Sequence, residues 1–250
     1  MSVMTVRELV PTDQLSRSVS FWDPSSGTRI EAHAPSARPD LWHRYVEGVT
    51  RSYRRYGVER ALDLESFADG ASTSLFFVAM SSDAEVVAGL RVHGRLSNPG
   101  QAHAMLEYAP YPELAAKVEA IIDDRLPLGV LEIKGVWVAP DVRRHNRLSN
   151  AIARCYLHAM ALLNAQFAFC TAGRHAAARW RGAGGQVVTA LPPIPYPDER
   201  YETFMLWWDA ARLDLADPDQ LRRFRNEAPT GSPPLDSPAF QAITGARPRG

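Results

Sequence analysis

The sequence predicts an α/β fold built on a mixed, twisted sheet with helices on both faces. Three observations carry this. Residues 130–138 form a run rich in β-branched side chains and Trp137, and residues 166–171 return to the same character. Between them Leu148, Ile152, Cys155, Ala159 and Leu163 recur on one face of a long helix. Strand, long helix, strand is the pattern of a parallel crossover. Upstream, residues 75–80 and 85–93 flank the turn Ser81-Ser82-Asp83-Ala84 and predict an adjacent strand pair.

The remaining elements follow in order. Residues 18–22 and 28–33 predict two short strands around Asp23-Pro24-Ser25-Ser26-Gly27. Pro39-Asp40 opens a helix on which Leu41, Tyr45, Val49 and Tyr53 recur, and Gly57 stops it. A second short helix is expected over 59–67. Residues 94–100 read as a loop, and Pro110 and Pro112 introduce a helix over 113–122. Pro140 to Asn146 is a basic loop. Residues 174–181 predict a short helix closed by Gly182 and Gly184-Gly185. Two last strands, 186–189 and 202–208, surround a proline-rich loop. The organised domain is expected to span 1–215. Residues 216–250 carry Pro229, Pro233, Pro234, Pro238 and Pro248 without apolar periodicity, and read as a disordered tail after a surface helix over 217–227.

Composition narrows the function. Twenty-eight Lys and Arg balance 28 Asp and Glu in 250 residues, so no global field draws the chain to nucleic acid or an anionic membrane. Residues 1–10 lack the apolar run of a signal peptide, and no segment reaches membrane-span length, which makes the cytoplasm the expected location. Cys155 and Cys170 sit in apolar sequence and are expected to be buried and reduced. The 7 histidines show no spacing with carboxylates that suggests a metal site.

Two stretches carry a resemblance. Val138-x-Pro140-x-x-Arg143 leading into a helix resembles the acyl-thioester-binding motif of the GNAT superfamily of N-acyltransferases. There the N–H groups and dipole of a helix start hold the pyrophosphate of coenzyme A. The succession Ala88-Gly89-Leu90-Arg91, Ala104-Met105-Leu106, Tyr111-Pro112-Glu113-Leu114 and Val130-Leu131-Glu132-Ile133-Lys134 is similar to that of autoinducer synthases and long-chain N-acyl amino acid synthases. These are a GNAT-like branch that takes acyl chains from an acyl carrier protein. The resemblance spans about residues 75–208. It departs from the pattern in lacking turn glycines at Arg144, Asn146 and Leu148, in having Lys134-Gly135 where the autoinducer pattern has Ser-Arg, and in placing Trp180 where a GNAT tyrosine serves as general acid. Arg144 and Leu148 are expected to crowd a pyrophosphate.

The resemblance implies acyl transfer from a thioester to the amine of a small acceptor, with acyl-coenzyme A or an acyl-phosphopantetheine carrier as donor and no metal. Glu132 is the expected proton acceptor, against the alternative of a strand-face ion pair with Lys134 or Arg91. Arg91 is a candidate for gripping a carboxylate on the acceptor, against the alternative of a strand-linking ion pair. Val138, Arg143, Arg144, Asn146, Arg147 and Ser149 are the candidate donor-binding residues, and the arginines also suit an acidic carrier protein. Trp207-Trp208 alternates across a strand, which offers one ring to the core and the other to a groove, or both to packing. Two other readings stand beside acyl transfer: a GNAT-shaped binding module without catalysis, and an autoinducer-type synthase using S-adenosylmethionine. Oligomeric state is not legible.

Overall fold

The computed structural model describes residues 19–142 and 144–227. Nine strands form one sheet: β1 (Val19–Asp23), β2 (Thr28–His33), β3 (Leu75–Met80), β4 (Val86–His93), β5 (Val130–Val138), β6 (Phe167–Gly173), β7 (Gln186–Val187), β8 (Ile194–Pro195) and β9 (Glu202–Asp209). The order is β1-β2-β3-β4-β5-β6-β9-β7, with β8 also on β9. Every pairing is antiparallel except β5 with β6. The helices are α1 (Pro39–Arg55), α2 (Leu64–Phe67), α3 (Ala104–Tyr108), α4 (Pro112–Asp123), α5 (His145–Leu162), α6 (Arg174–Gly182) and α7 (Pro218–Asn226).

The predicted crossover is present, with α5 connecting the two parallel strands. On its side of the sheet Leu148, Ile152, Cys155 and Ala159 join Leu90, Leu131 and Trp208 in the larger core. The opposite face is covered twice. Leu41, Trp42, Tyr45 and Val49 of α1 pack on Phe76, Val78 and Trp137, while α3 and α4 place Tyr108, Val118 and Ile122 against Phe169 and Met205. Helices therefore lie on both faces of a mixed sheet.

Of the two readings of Trp207-Trp208, packing for both holds, on opposite faces: Trp208 lies 4.3 Å from the Tyr156 ring, and Trp207 stacks on Phe169 at 4.8 Å. Other expectations are corrected. The helix expected over 59–67 is broken, because Asp63 takes a left-handed backbone that separates a 3₁₀ turn at Glu59–Ala61 from α2. Ala104–Tyr108 forms a short helix where the sequence reading has no element, and Ile194–Pro195 a short strand within the proline-rich loop. The domain also continues past 215. Helix α7 is capped by Asp217, whose carboxylate accepts from the N–H groups of Asp219 and Gln220, and Phe224 is buried against the domain. The expected tail beyond Glu227 lies outside the described residues.

Candidate active site

The parallel pair β5–β6 is zipped for only three residues, Val130–Phe167, Leu131–Ala168 and Glu132–Phe169. The cause lies on the other edge of β5. Against β4, Lys134 faces Arg91 and Trp137 faces Gly89, so Gly135 and Val136 together oppose Leu90. This is a β-bulge, which bends its strand. Gly135 supplies the left-handed residue, with φ +57°, and its carbonyl accepts a hydrogen bond from Tyr45 Oη at 2.9 Å. A Cβ there would lie 2.3 Å from the Tyr45 oxygen. Gly135→Ala is therefore expected to cost about 2 kcal/mol from the left-handed backbone alone, read as a fall of several degrees in melting temperature. An unchanged melting temperature would show that the bulge does not depend on this glycine.

Beyond the zipped segment the strands diverge around a cavity of about 500 Å³. Its walls are β5 from Ile133 to Val138 and β6 from Cys170 to Gly173, with the starts of α5 and α6, the end of α1 and the loop carrying Tyr196 and Tyr201. The bordering Cys170 is a thiol, since burial pushes it up to about 12. Among the described residues no cluster of His, Cys, Asp or Glu is arranged to hold a metal ion, and no helix is long and apolar enough to cross a membrane.

The expected donor residues divide. Val138 and Ser149 border the cavity; Ser149 is buried and its Oγ donates to the His145 carbonyl at 2.9 Å. His145 borders it too, its ring held by Nδ1 against the Ala139 carbonyl at 3.1 Å. Arg144 caps α5 in a left-handed conformation, φ 68°, which is the backbone state a turn glycine ordinarily supplies. Its side chain, like that of Arg147, is exposed. Asn146 Oδ1 accepts from Arg179 Nη2 at 3.3 Å. Arg143 lies outside the described residues. Leu148 does not crowd the turn as expected: it is fully buried in the core, one residue past the exposed face of the helix. Trp180 borders the cavity and packs on Tyr156 at 5.4 Å, so the position where the GNAT resemblance expects a tyrosine holds no acidic hydroxyl.

The expected proton acceptor is sited differently. Glu132 is completely buried. Its two oxygens accept from the backbone N–H groups of His103 and Ala104, at 2.7 and 2.9 Å, and tie the start of α3 to the sheet. Burial opposes its charge, but His93 beside it at 3.6 Å and the nearby Lys134 outweigh that and hold its pKa at about 2. A carboxylate so weakly basic and fully hydrogen-bonded is poorly matched to proton removal at neutral pH. Arg91 is also buried, its guanidinium 4.4 Å above the Phe67 ring, and burial lowers its pKa. It lies on β4, behind the cavity wall rather than on it.

Beside Ser149, the cavity is reached by polar groups to which the sequence reading gives no catalytic role. Lys134 and Thr171, across the point where β5 and β6 part, are bridged at 3.3 Å from Nζ to Oγ1. Lys134 Nζ also donates to Oε1 of Glu107 on α3, and His103 Nδ1 lies 3.5 Å from that same oxygen. Burial works against the charge on Lys134, but Glu107 and Glu132 overcome it and raise its pKa. Burial and Lys134 lower the pKa of His103, which favours its neutral form. Glu107 borders the cavity while its side chain is inaccessible to bulk water, and its Oε2 has no hydrogen-bond partner. The phenols of Tyr53 and Tyr196 also border the cavity, both raised by burial and sensing the charges of Glu107 and Lys134, Tyr196 to about 12.

No protein-family profile matches the chain. The uncharacterized protein Rv1356c of Mycobacterium tuberculosis is 40% identical over 231 residues, covering 90% of this chain and 88% of the relative. The uncharacterized protein Mb1391c of Mycobacterium bovis matches to the same extent. Among solved structures, the coenzyme A-dependent acyl-homoserine lactone synthase BjaI, determined with SAM and isopentyl-CoA, is similar with a TM-score of 0.50 and 15% identity, covering 92% of this chain and 98% of that one. The acyl-homoserine lactone synthase LasI gives 0.50 and 12%, covering 73% and 91%. At these identities the likeness to both synthases is one of fold.

Proposed function

We propose that this chain, which belongs to the family of the mycobacterial protein Rv1356c and has the GNAT-like fold of the acyl-homoserine lactone synthases, transfers an acyl group from a thioester to the amine of a small acceptor. The observation that carries the reading is the parting of β5 and β6 after Glu132 and Phe169, which leaves two unzipped strand edges around a cavity with the start of α5 at its border. Such a slot admits an extended thioester arm between backbone edges, and the helix dipole favours the phosphate that follows it.

The donor is proposed to be an acyl chain on a phosphopantetheine carrier protein in preference to the matching acyl-coenzyme A. The left-handed cap is occupied by Arg144 rather than glycine, so the turn carries a Cβ where a glycine would let a pyrophosphate approach the backbone closely. A phosphopantetheine arm has a single phosphodiester and asks less of that turn. Exposed Arg144 and Arg147 add positive charge around the start of α5, suited to an acidic partner.

Thiol release from one acyl chain on both carriers, with a panel of primary amines, tests both statements. We expect amine-dependent release, a higher kcat/KM with the carrier protein, and a decline of that preference as salt shortens the screening length to about 8 Å near physiological ionic strength. Equal use of both donors, with no salt dependence, removes the carrier proposal. Thioester binding without release from either donor, across acyl lengths, favours the binding module, a reading to which Trp180 in place of a tyrosine lends support.

A further inference from the structure

The cavity holds one buried anion that the fold leaves half used. Oε1 of Glu107 is occupied by Lys134, with His103 beside it, while Oε2 has no partner. An unpaired carboxylate oxygen out of water is costly unless something arrives to meet it. Its position is set from two sides. Glu132 pins the start of α3 through the His103 and Ala104 N–H groups, and Glu107 sits one helical turn later. Lys134 then fixes the rotation of the carboxylate by taking one oxygen, and Lys134 itself is held by Thr171.

Aromatic side chains border the same cavity. Tyr53 and Tyr56 come from the end of α1, and Tyr196 and Tyr201 from the loop before β9. That loop is strapped across: Tyr201 Oη donates to the Tyr56 carbonyl at 3.2 Å, and Arg200 Nη2 to the Gly57 carbonyl at 3.0 Å. A desolvated carboxylate oxygen among aromatic rings is chemistry for an ammonium group, which the anion attracts directly and the ring faces attract through their quadrupoles.

Resting on the acyl-transfer reading above, we infer that Glu107, and not Glu132, receives the acceptor's ammonium and takes its proton, within a subsite walled by Tyr53, Tyr56, Tyr196 and Tyr201. The class of acceptor is a primary amine protonated in water and carried on an apolar or aromatic body. In the step, the first ammonium proton passes to Glu107 Oε2 and from there to solvent. The nitrogen lone pair forms the C–N bond, the C–S bond breaks, and the second N–H proton follows the departing thiolate. The products are an amide and a free thiol. Lys134 acts as a positioning residue, through Glu107.

The test uses the full chain, thiol release, and Glu107→Gln, which keeps an oxygen for Lys134 and removes the proton acceptor. With 2-phenylethylamine, protonated at pH 7, kcat/KM is expected to fall about 10²–10⁴-fold. With benzoylhydrazine, already neutral at pH 7, the loss should be several-fold at most, and raising the pH should shrink the deficit with 2-phenylethylamine. A merely structural role lowers both acceptors equally, and that result, or no loss with either, overturns the inference. If the wild type releases thiol from no donor, the acyl-transfer reading fails separately, and calorimetry with 2-phenylethylammonium chloride then decides the subsite. Binding to wild type that is lost in Glu107→Gln at unchanged melting temperature supports it; equal binding, or none to wild type, overturns it.

Discussion

Replacing Glu132 is expected to unfold rather than silence the protein. Its carboxylate is the anchor for two backbone N–H groups, is fully buried, and lies among His93, Lys134 and Arg91. Glu132→Ala leaves those donors and cations uncompensated, and breaking a buried ionic network by removing one member typically costs about 3–5 kcal/mol. For a chain of this size that is a drop of roughly 10 °C in melting temperature. Acid gives a parallel test. The folded pKa of about 2 lies below the ordinary 4.5, so the folded state binds this proton less readily than the unfolded one. The stabilisation is complete above 4.5 and is lost as pH falls from 4.5 through 2. At ~1.4 kcal/mol per pH unit between the two values it amounts to roughly 3 kcal/mol. Wild type should therefore weaken steeply over that window, and Glu132→Gln much less. A Glu132→Gln variant that keeps the wild-type melting temperature and loses turnover would return this residue to the chemistry.

The second large effect is expected at Arg154, on the far side of the sheet from Glu107. This guanidinium is 1% exposed, and its donors reach three residues in two segments distant in sequence. Nε meets both oxygens of Glu227 at 3.0 Å, Nη1 meets Gln220 Oε1 at 2.8 Å, and Nη2 meets Asp23 Oδ1 at 3.1 Å. His158 Nε2 lies 3.1 Å from Glu227, and its ring sits between Phe21 and Phe224, 4.7 Å from each. Arg154→Met keeps most of the bulk and strands two carboxylates, a loss again of about 3–5 kcal/mol. Truncation after Leu215 should be comparably damaging, because it removes Glu227 and Phe224 together. The triple variant Arg154→Met, Asp23→Asn, Glu227→Gln should recover much of the loss, since no uncompensated charge remains. Failure to recover would mean that packing by α7, rather than charge, holds the network's value.

What the sequence reveals here depends on whether a signal is local. Strand β5 matches its expected bounds because a β-branched run is a property of adjacent residues, and α5 is legible because its apolar face repeats over many turns. Its start is less legible: the basic loop expected to run to Asn146 already turns helical at His145, and Arg144, the cap, offers no side-chain hydrogen bond to mark it. Helix α3 has five residues, too few for a period to declare itself, and so Glu107 carried no mark of function. Its character arises only when folding brings Lys134 against it, 27 positions away. Glu132 was chosen from its place in a motif, and the place is right, on the strand entering the turn. Its role is decided by two N–H groups from α3 that no sequence pattern announces. Phe224 was passed over for the opposite reason: it is a single apolar residue in a charged segment, legible as core only once His158 is seen beside it.

The position of β9 bears on how the chain is made. Strands β1 to β5 are each paired with the next strand in sequence. Strand β6 joins β5 over three residues only, and its outer edge waits for β9, the last of the described strands. A nascent chain that pauses before Glu202 therefore presents an open edge bearing Phe167, Phe169 and Cys170. Unpaired apolar edges of this kind are what chaperones engage and what other chains pair with when they do not. Because β9 bonds to β6 along that strand's whole length, its arrival closes the edge and commits this side of the sheet to its native order.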